Sequence, residues 1–531
     1  MKVKNYSTVN NEIRLVRYRK KGILRIIFSR LGAILLLLLF QLVIFYAMLA
    51  KLEKLNPYYT IFMAFFTIVM VLYLFNCSMD YSAKLTWLII IALAPVPGSI
   101  FLAFTRIEIG HRALKKMVAD VISKTRNYLS TDKKLIKEIE NKDIYFLSKY
   151  LNKTGCFPVY DNTEVQYYPS GEACFSDFIE ELKKAEKYIF LEFFIIEEGH
   201  MWGQILKVLT DKVKEGVEVR VMYDGMCEMQ LLPYNYTDRL KSFGIKAKTF
   251  APIHPFVSTY YNYRDHRKIA VIDGKVAMNG GINLADEYIN KYKRYGYWKD
   301  AAVIVRGAAV KSYTLMFMQM WSADEKTLEI EDYLSDGIND ANDASQVKSS
   351  GYVLPFGDIP LDNEKVGENV YMDILNKAEK YVHIMTPYMI LDDELKNAIR
   401  FAAGRGVDVS IILPGIPDKK VAYALAKSHY KDLLDAGISI YEYTPGFVHS
   451  KVFVSDDEKA VVGTINLDYR SLYHHFECAT YIEEADCISD IEADFQKTIP
   501  ECFTVSYESV KHEKLLYKLV GGVVKTMAPL I

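Results

Sequence analysis

Two widely separated stretches of this chain spell out the same order of elements, and that duplication constrains the fold more than any other feature. The first copy runs "EKYIFLEFFII" (186–196), "GQILKVLTDKVKEG" (203–216), "VEVRVMYD" (217–224), "LKSFGIKAKTF" (240–250) and "HRKIAVID" (266–273). The second runs "EKYVHIMTPYM" (379–389), "DELKNAIRFAAGRG" (393–406), "VDVSIILP" (407–414), "LLDAGISIYEY" (433–443) and "HSKVFVSD" (449–456). In each copy a β-rich run is followed by an amphipathic helix that closes on a glycine, Gly216 or Gly406, and then by another strand. Strand–helix–strand at this spacing is a βαβ unit with parallel strands. The expectation is an α/β protein in which two like lobes pack as one pseudo-symmetric unit. Equivalent strand ends then face each other across a cleft, where a ligand is expected.

The last element of each copy carries the chemistry. The first holds His266, Lys268 and Asp273, followed by a glycine pair and Asn283; the second holds His449, Lys451 and Asp456, followed by Gly463, Thr464 and Asn466. Side chains two apart on a strand share a face, so an imidazole and an ammonium stand side by side, an odd choice for a core. One H-x-K-x4-D is a weak signal; two at equivalent places in a repeat are a strong one. Two Lys and two Asn side chains, with His, form a ring of donors for the non-bridging oxygens of a phosphate. Two imidazoles on opposite lobes can stand on opposite sides of phosphorus. One attacks; the other protonates the leaving alkoxide and then deprotonates the acceptor alcohol. A carboxylate behind each imidazole would fix its tautomer, and Asp300 in "YGYWKD" and Glu477 in "HHFECA" are the candidates. Asp273 and Asp456 belong to the catalytic motif, but their places at strand ends suit bracing of the loops that carry the Gly-Asn segments. His475, beside Glu477, is either part of the second site or structural.

The N-terminal part has a different character. "GAILLLLLFQLVIFYAMLA" (32–50) and "PYYTIFMAFFTIVMVLYLF" (57–75) are uncharged apolar runs, each long enough for a hydrocarbon core of ~30 Å. A third run, "LTWLIIIALAPVPGSIFLAF" (85–104), is broken by Pro95, Pro97 and Gly98. Basic residues precede the first run (Arg17, Arg19, Lys20, Lys21, Arg25, Arg30) and follow the third (Arg106, Arg112, Lys115, Lys116). Positive flanks favour the cytoplasm, so an even number of crossings is expected. Two spans satisfy this, with the broken segment re-entrant or lying in the interface. The cysteines number seven and include no C-x-x-C pair, which fits a reducing compartment. The expected organisation is a basic cytoplasmic arm (1–30), a membrane anchor (31–105), a helical connector (106–154), a first lobe (155–323), a polar linker (324–350) and a second lobe with a C-terminal tail (351–531). The tail mixes Lys with apolar residues and suits either the membrane surface or packing on the second lobe. Tyr260, Tyr261 and Tyr263 lie in an insertion before the first motif that suits a lipid entrance or plain loop variation.

The duplicated H-x-K-x4-D resembles the signature of the phospholipase D superfamily. Within it, "FPVYDNTEVQYYPSGEACFSDFIEEL", "TPYMILDDEL", "YEYTPGFVHSKVFV", "GTINLDYRSL" and the closing "MAPLI" resemble bacterial cardiolipin synthases over nearly the whole chain. The resemblance implies that His266 and His449 are the catalytic pair, that Lys268, Lys451, Asn283 and Asn466 bind phosphate, and that His266 in the first copy is the nucleophile. It also implies a phosphatidyl-histidine intermediate, no metal and no other cofactor. The implied substrate is phosphatidylglycerol at a cell membrane, with the catalytic region cytoplasmic; a phospholipase D-type hydrolase or another phosphatidyltransferase is the alternative. Thr464 stands where serine is usual, and His475 where asparagine is common. A formal net charge of −1 gives no electrostatic case for nucleic acid. Neither a G-x-x-x-x-G-K-[ST] loop nor the D-G-x-x-A-R run of CDP-alcohol phosphotransferases occurs, so no nucleotide is expected. The sequence allows an oligomer without requiring one.

Overall fold

In a computed structural model of the chain, the residues described are 7–9, 12–14, 58–77, 79, 81–95, 98–99, 101–103, 109–233, 235–252, 263–325, 327–335, 350–362 and 364–525. The chain's short N-terminal strands are β1 (Ser7–Val9) and β2 (Glu12–Arg14). The first lobe is built on β3 (Thr163–Tyr168), β4 (Tyr188–Phe193), β5 (Glu218–Asp224), β6 (Lys246–Phe250), β8 (Lys268–Ile272), β9 (Val276–Gly280) and β11 (Ala302–Gly307), in the order β3-β11-β9-β8-β4-β5-β6. The second is built on β12 (Tyr352–Asp358), β13 (Tyr381–Met385), β14 (Asp408–Pro414), β15 (Ser439–Tyr443), β17 (Val452–Ser455), β18 (Lys459–Gly463) and β19 (His475–Glu483), in the order β12-β19-β18-β17-β13-β14-β15, and β20 (Cys502–Thr504) extends its edge. The two orders are the same, element for element.

The repeated segments form the expected elements. The helices His200–Lys214 and Asp393–Gly404 each connect two parallel strands, β4 to β5 and β13 to β14. Gly216 and Gly406 follow these helices at φ +93° and +94°, with open space where a Cβ would stand; the left-handed backbone is what requires glycine there. Only β4-β5-β6 and β13-β14-β15 are parallel within the sheets. The remaining neighbours, including β8 and β17 beside β4 and β13, pair antiparallel. Each sheet is therefore mixed, because the motif strand runs back antiparallel beside the first strand of its βαβ unit.

The lobes share one core. The helix Val310–Trp321 is buried at every position but Lys311 and packs against strands of the first lobe and β12 of the second. The helix Cys487–Thr498 of the second lobe contacts β3 of the first. There Lys299 pairs with Asp494 at 2.6 Å, and the hydroxyl of Tyr167 donates to the same carboxylate at 2.7 Å. Two further strands, β7 (Arg264–Asp265) and β16 (Gly446–Val448), reach across the boundary. Strand β7 pairs in parallel with the start of β19, and β16 pairs in parallel with β10 (Tyr297–Lys299). These ladders are one contact made twice by the pseudo-two-fold relation, and each sits immediately before a motif histidine.

Outside the lobes several expectations change. The basic arm is not uniform: β1 and β2 form an antiparallel hairpin packed on the helix His200–Lys214. Ile13 is buried, and Glu12 meets Nδ1 of His200 at 2.6 Å. The linker 324–350 begins with a helix, Ile330–Ser335, whose Ile330 and Leu334 join the main core. The tail forms the helix Leu515–Lys525, which packs on the helix Lys420–Leu434 of the second lobe. The connector 106–154 holds helices at Ile109–Thr125, Lys133–Glu138 and Ile144–Gly155. Of the two expected spans, 32–50 lies outside the described residues. The second coincides with the uncharged helix Tyr58–Asn76, which exposes Ile61, Phe62, Phe65, Ile68, Leu72 and Phe75. It pairs with the helix Tyr81–Leu93 around Leu74, Trp87, Ile91 and Leu102. Among the described residues no helix is long and apolar enough to cross a membrane, so the fold by itself does not establish the two-span anchor. Tyr260 and Tyr261 also lie outside the described residues.

Candidate active site

The backbone holds each motif histidine against the other lobe. The N–H of His266 donates to the carbonyl of Phe476 at 2.9 Å, and the N–H of His449 donates to the carbonyl of Lys299 at 2.6 Å. Each acceptor residue is followed in sequence by a carboxylate, and this produces a crossed arrangement. Nδ1 of His266 lies 2.9 Å from both oxygens of Glu477, a residue of the second lobe. Nδ1 of His449 lies 2.7 Å from Oδ2 of Asp300, a residue of the first lobe. Both carboxylates are fully buried, so these are interior pairs and not surface salt bridges. A carboxylate on Nδ1 keeps the proton there and leaves Nε2 with its lone pair.

Lys268 and Lys451 are also buried, and each ammonium turns back to the carbonyl of its own motif histidine, His266 at 2.5 Å and His449 respectively. Lys451 also lies 2.9 Å from Nδ1 of His449. Burial lowers Lys268 to about 8, opposed by Glu477. Burial lowers Lys451 to about 7, opposed by Asp300 and assisted by the charge of Lys268. That last influence places the two lysines in one electrostatic neighbourhood. Burial also pushes His266 well below its usual value, with Glu477 opposing. His449 falls to about 4 through burial and then the charge of Lys451. Glu477 and Asp300 are held below the ordinary carboxylate range: burial would raise both, but their imidazole partners outweigh it. The site therefore holds neutral imidazoles, ionised carboxylates and two desolvated lysines whose charged forms an anion would favour.

The Gly-Asn segments complete the walls. Asn283 is buried; its Oδ1 accepts from the Ile195 N–H at 3.0 Å, and its Nδ2 donates to the Tyr288 hydroxyl at 2.7 Å. Asn466 is buried with its Oδ1 unpartnered among the described residues. At Gly281 a Cβ would stand 2.0 Å from Oδ1 of Asp300 and 3.1 Å from the His449 carbonyl, so only glycine leaves room for that pair. The equivalent position in the second lobe is Thr464, whose hydroxyl donates to Glu477.

Asp273 and Asp456 stand apart from the motif histidines and lysines and meet backbone N–H groups. They lie at the far ends of β8 and β17, about five residues or ~16 Å of strand from the motif lysines. Asp273 accepts the backbone N–H groups of Glu186, Lys187 and Tyr188 at 2.7–2.8 Å. Asp456 does the same for Glu379, Lys380 and Tyr381 at 2.8–2.9 Å. They brace the entry to the neighbouring strand, not the Gly-Asn loops, and both adopt the left-handed backbone, φ +52° and +59°. Asp273→Ala is expected to cost at least about 3 kcal/mol of stability, since charge-assisted hydrogen bonds contribute ~1.5–3 kcal/mol each, while the folded fraction keeps its turnover number. Denaturant melts read alongside activity per folded molecule check this.

Of the rings that pack on the histidines, sequence reasoning had singled out His475 alone. His449 lies against Trp298 at 5.1 Å and Tyr288 at 5.4 Å between centroids. His266 lies against Phe194 at 5.0 Å and His475 at 5.4 Å. Trp298 and His475 are each two residues before the carboxylate on a motif histidine, so aligning "WKD" (298–300) with "HFE" (475–477) would have paired them. Nothing in the sequence marks Tyr288 or Phe194.

The comparisons with known proteins agree with this architecture. The family model described as "Cardiolipin synthase, PLD-like domain" matches residues 178–321 and 371–499. An uncharacterised protein of Streptococcus mutans serotype c is 56% identical over 87% of this chain and 99% of its own length. A cardiolipin synthase of Alkalihalophilus pseudofirmus is 31% identical over 84% of this chain and 88% of its own length. Among solved structures, a phosphatidylserine synthase of Haemophilus influenzae superposes with a TM-score of 0.53 at 15% identity, covering 69% of this chain and 93% of that one; at that identity the likeness is one of fold.

Proposed function

Given that this chain belongs to the family of phospholipase D-like proteins described as cardiolipin synthases, we propose that it is a membrane phosphatidyltransferase that makes cardiolipin from two molecules of phosphatidylglycerol. The observation that carries this reading is the crossed pair of buried histidine–carboxylate couples, flanked by two buried lysines. In this scheme Nε2 of His266 attacks phosphorus, and the bond from phosphorus to the headgroup glycerol oxygen breaks. His449 supplies the proton that the departing alkoxide takes. A phosphatidyl group is now bonded to His266. The terminal hydroxyl of a second phosphatidylglycerol gives its proton to His449 and attacks phosphorus, and the P–N electron pair returns to His266. One phosphodiester replaces another, so the exchange needs no nucleotide.

The electrostatics support the scheme. Lys268 and Lys451 are the groups to meet the non-bridging oxygens, with Asn283 and Asn466 beside them. Burial and then the lysine charges hold His449 low; an entering phosphodiester offsets the lysine charges and so favours the protonated His449 that the leaving alkoxide needs. The apolar helix Tyr58–Asn76, with the run 32–50, fits an anchor that keeps the cleft at the bilayer where both substrates reside. Basic flanks and seven free cysteines fit a cytoplasmic catalytic region.

Purified full-length protein in phosphatidylglycerol micelles is expected to yield cardiolipin and glycerol in equal amounts, with little phosphatidic acid. Excess glycerol should drive the reaction backward. Phosphatidic acid as the main product would replace this reading with that of a hydrolase.

A further inference from the structure

The pseudo-symmetry of the cleft is broken at one place. In the His449 half, the neighbouring ring is Trp298, whose indole N–H is already given to Asp300 at 3.3 Å. In the His266 half, the equivalent ring is His475, which is only 9% exposed. Its Nδ1 lies 3.5 Å from Oε1 of Glu477, long for a hydrogen bond. Neither of its ring nitrogens has a hydrogen-bond partner among the described residues. A buried polar group left this way is costly and calls for a reason. Tryptophan can only donate, whereas a neutral imidazole always carries one free lone pair.

We propose that the His266 half of the cleft binds a divalent transition metal of the zinc class through His266, His475 and Glu477, and that this ion switches the site off. The candidate ligand atoms of the three residues all lie within 4.8 Å of one another. Glu477 is 2.9 Å from His266 and 3.5 Å from His475. Ligands ~2.0–2.1 Å from a tetrahedral ion stand roughly 3.4 Å apart, so Glu477 already lies near ligand spacing from both imidazoles. Two imidazoles and a carboxylate are a donor set that zinc accepts, with the fourth position open to water or a phosphate oxygen. The other half has no such set, because indole offers no lone pair, so the cleft takes one ion.

The inhibition follows from the tautomer and rests on the phosphatidyltransferase reading. With Glu477 on Nδ1–H, His266 keeps its lone pair on Nε2 and can attack. A metal on Nδ1 takes the lone pair of the other neutral tautomer, so the ring's single proton moves from Nδ1 to Nε2, where the lone pair was. The ion also takes the carboxylate that orients the ring. The role is regulatory and asks nothing of a metal in the transfer itself.

The test uses the full-length protein in detergent micelles, stripped with a chelator and titrated with Co²⁺. The wild type is expected to develop the ligand-field absorption of a tetrahedral site with one ion per chain, and Zn²⁺ should abolish it. His475→Asn should lose the band, whereas His449→Ala, which removes the histidine of the other half, should keep it. Because this readout needs no turnover, it stands whether or not the product is cardiolipin. In the transfer assay, with each variant referred to its own metal-free rate, the Zn²⁺ inhibition constant should rise roughly tenfold or more in His475→Asn. If that variant does not fold, His475→Gln serves the same comparison. Absence of the band in the wild type, or metal binding or inhibition unchanged by the loss of His475, overturns the proposal.

Discussion

His266→Ala is expected to form no covalent phosphatidyl-enzyme, and His449→Ala to form one that turns over at a small fraction of the normal rate. With labelled phosphatidylglycerol and a rapid denaturing quench at neutral pH, label should remain on the second variant and be absent from the first. Both should lose at least about ten-thousand-fold in steady-state transfer, since nucleophilic and acid–base contributions are each large and the groups act as a unit. The asymmetry comes from the order of events. Without the nucleophile no P–N bond forms. Without the acid–base partner the first displacement is slowed, but the second also lacks a base to activate the incoming alcohol, so the intermediate waits. Label trapped on His266→Ala instead would make His449 the nucleophile and reverse the assignment. Near-normal cardiolipin synthesis by both variants would refute the histidine mechanism altogether.

The crossed carboxylates make a second, sharper expectation. Asp300→Asn should behave as a milder His449→Ala, accumulating the covalent species, although Asp300 belongs to the first lobe. Glu477→Gln should behave as a milder His266→Ala and fail to accumulate it, although Glu477 belongs to the second. Losses of roughly two to four orders of magnitude are expected, because an amide can donate to Nδ1 and stabilise the tautomer that carries its proton on Nε2. Both partners are fully buried, so water cannot substitute for the lost carboxylate. If the couples ran within each lobe the two phenotypes would be exchanged. The same quench experiment therefore reads out which lobe orients which ring.

Much of this was legible in the chain itself. The alternation of β4, the helix His200–Lys214 and β5 follows from local hydrophobic period and a glycine that must adopt positive φ. Its recurrence in β13, the helix Asp393–Gly404 and β14 is written in near-identical patterns. Motif residues His266, Lys268, His449 and Lys451 were recognisable because spacing of two places both groups on one side of a strand. Asp300 and Glu477 could be found as a pair from their similar distances after the motifs. The role of Asp273 was less legible: its partners lie 85–87 residues earlier in the chain, and a carboxylate at a strand end gives no local sign of which N–H groups it meets.

By itself, the sequence determined two copies of one αβ unit, the residue types of a phosphodiester-transfer site, and an apolar N-terminal region. These depend on periodicity, short-range spacing and duplication, which a linear chain records directly. Only the tertiary structure decided that each histidine is oriented by the opposite lobe, that Asp273 and Asp456 brace strands, that β2 of the arm docks on the first lobe, and that His475 stacks beside His266 with Glu477 at 3.5 Å. Those depend on which surfaces meet when the two sheets close around the helix Val310–Trp321. Contacts between lobes are set by long-range packing and a two-fold relation in space, and no residue's sequence neighbours encode them.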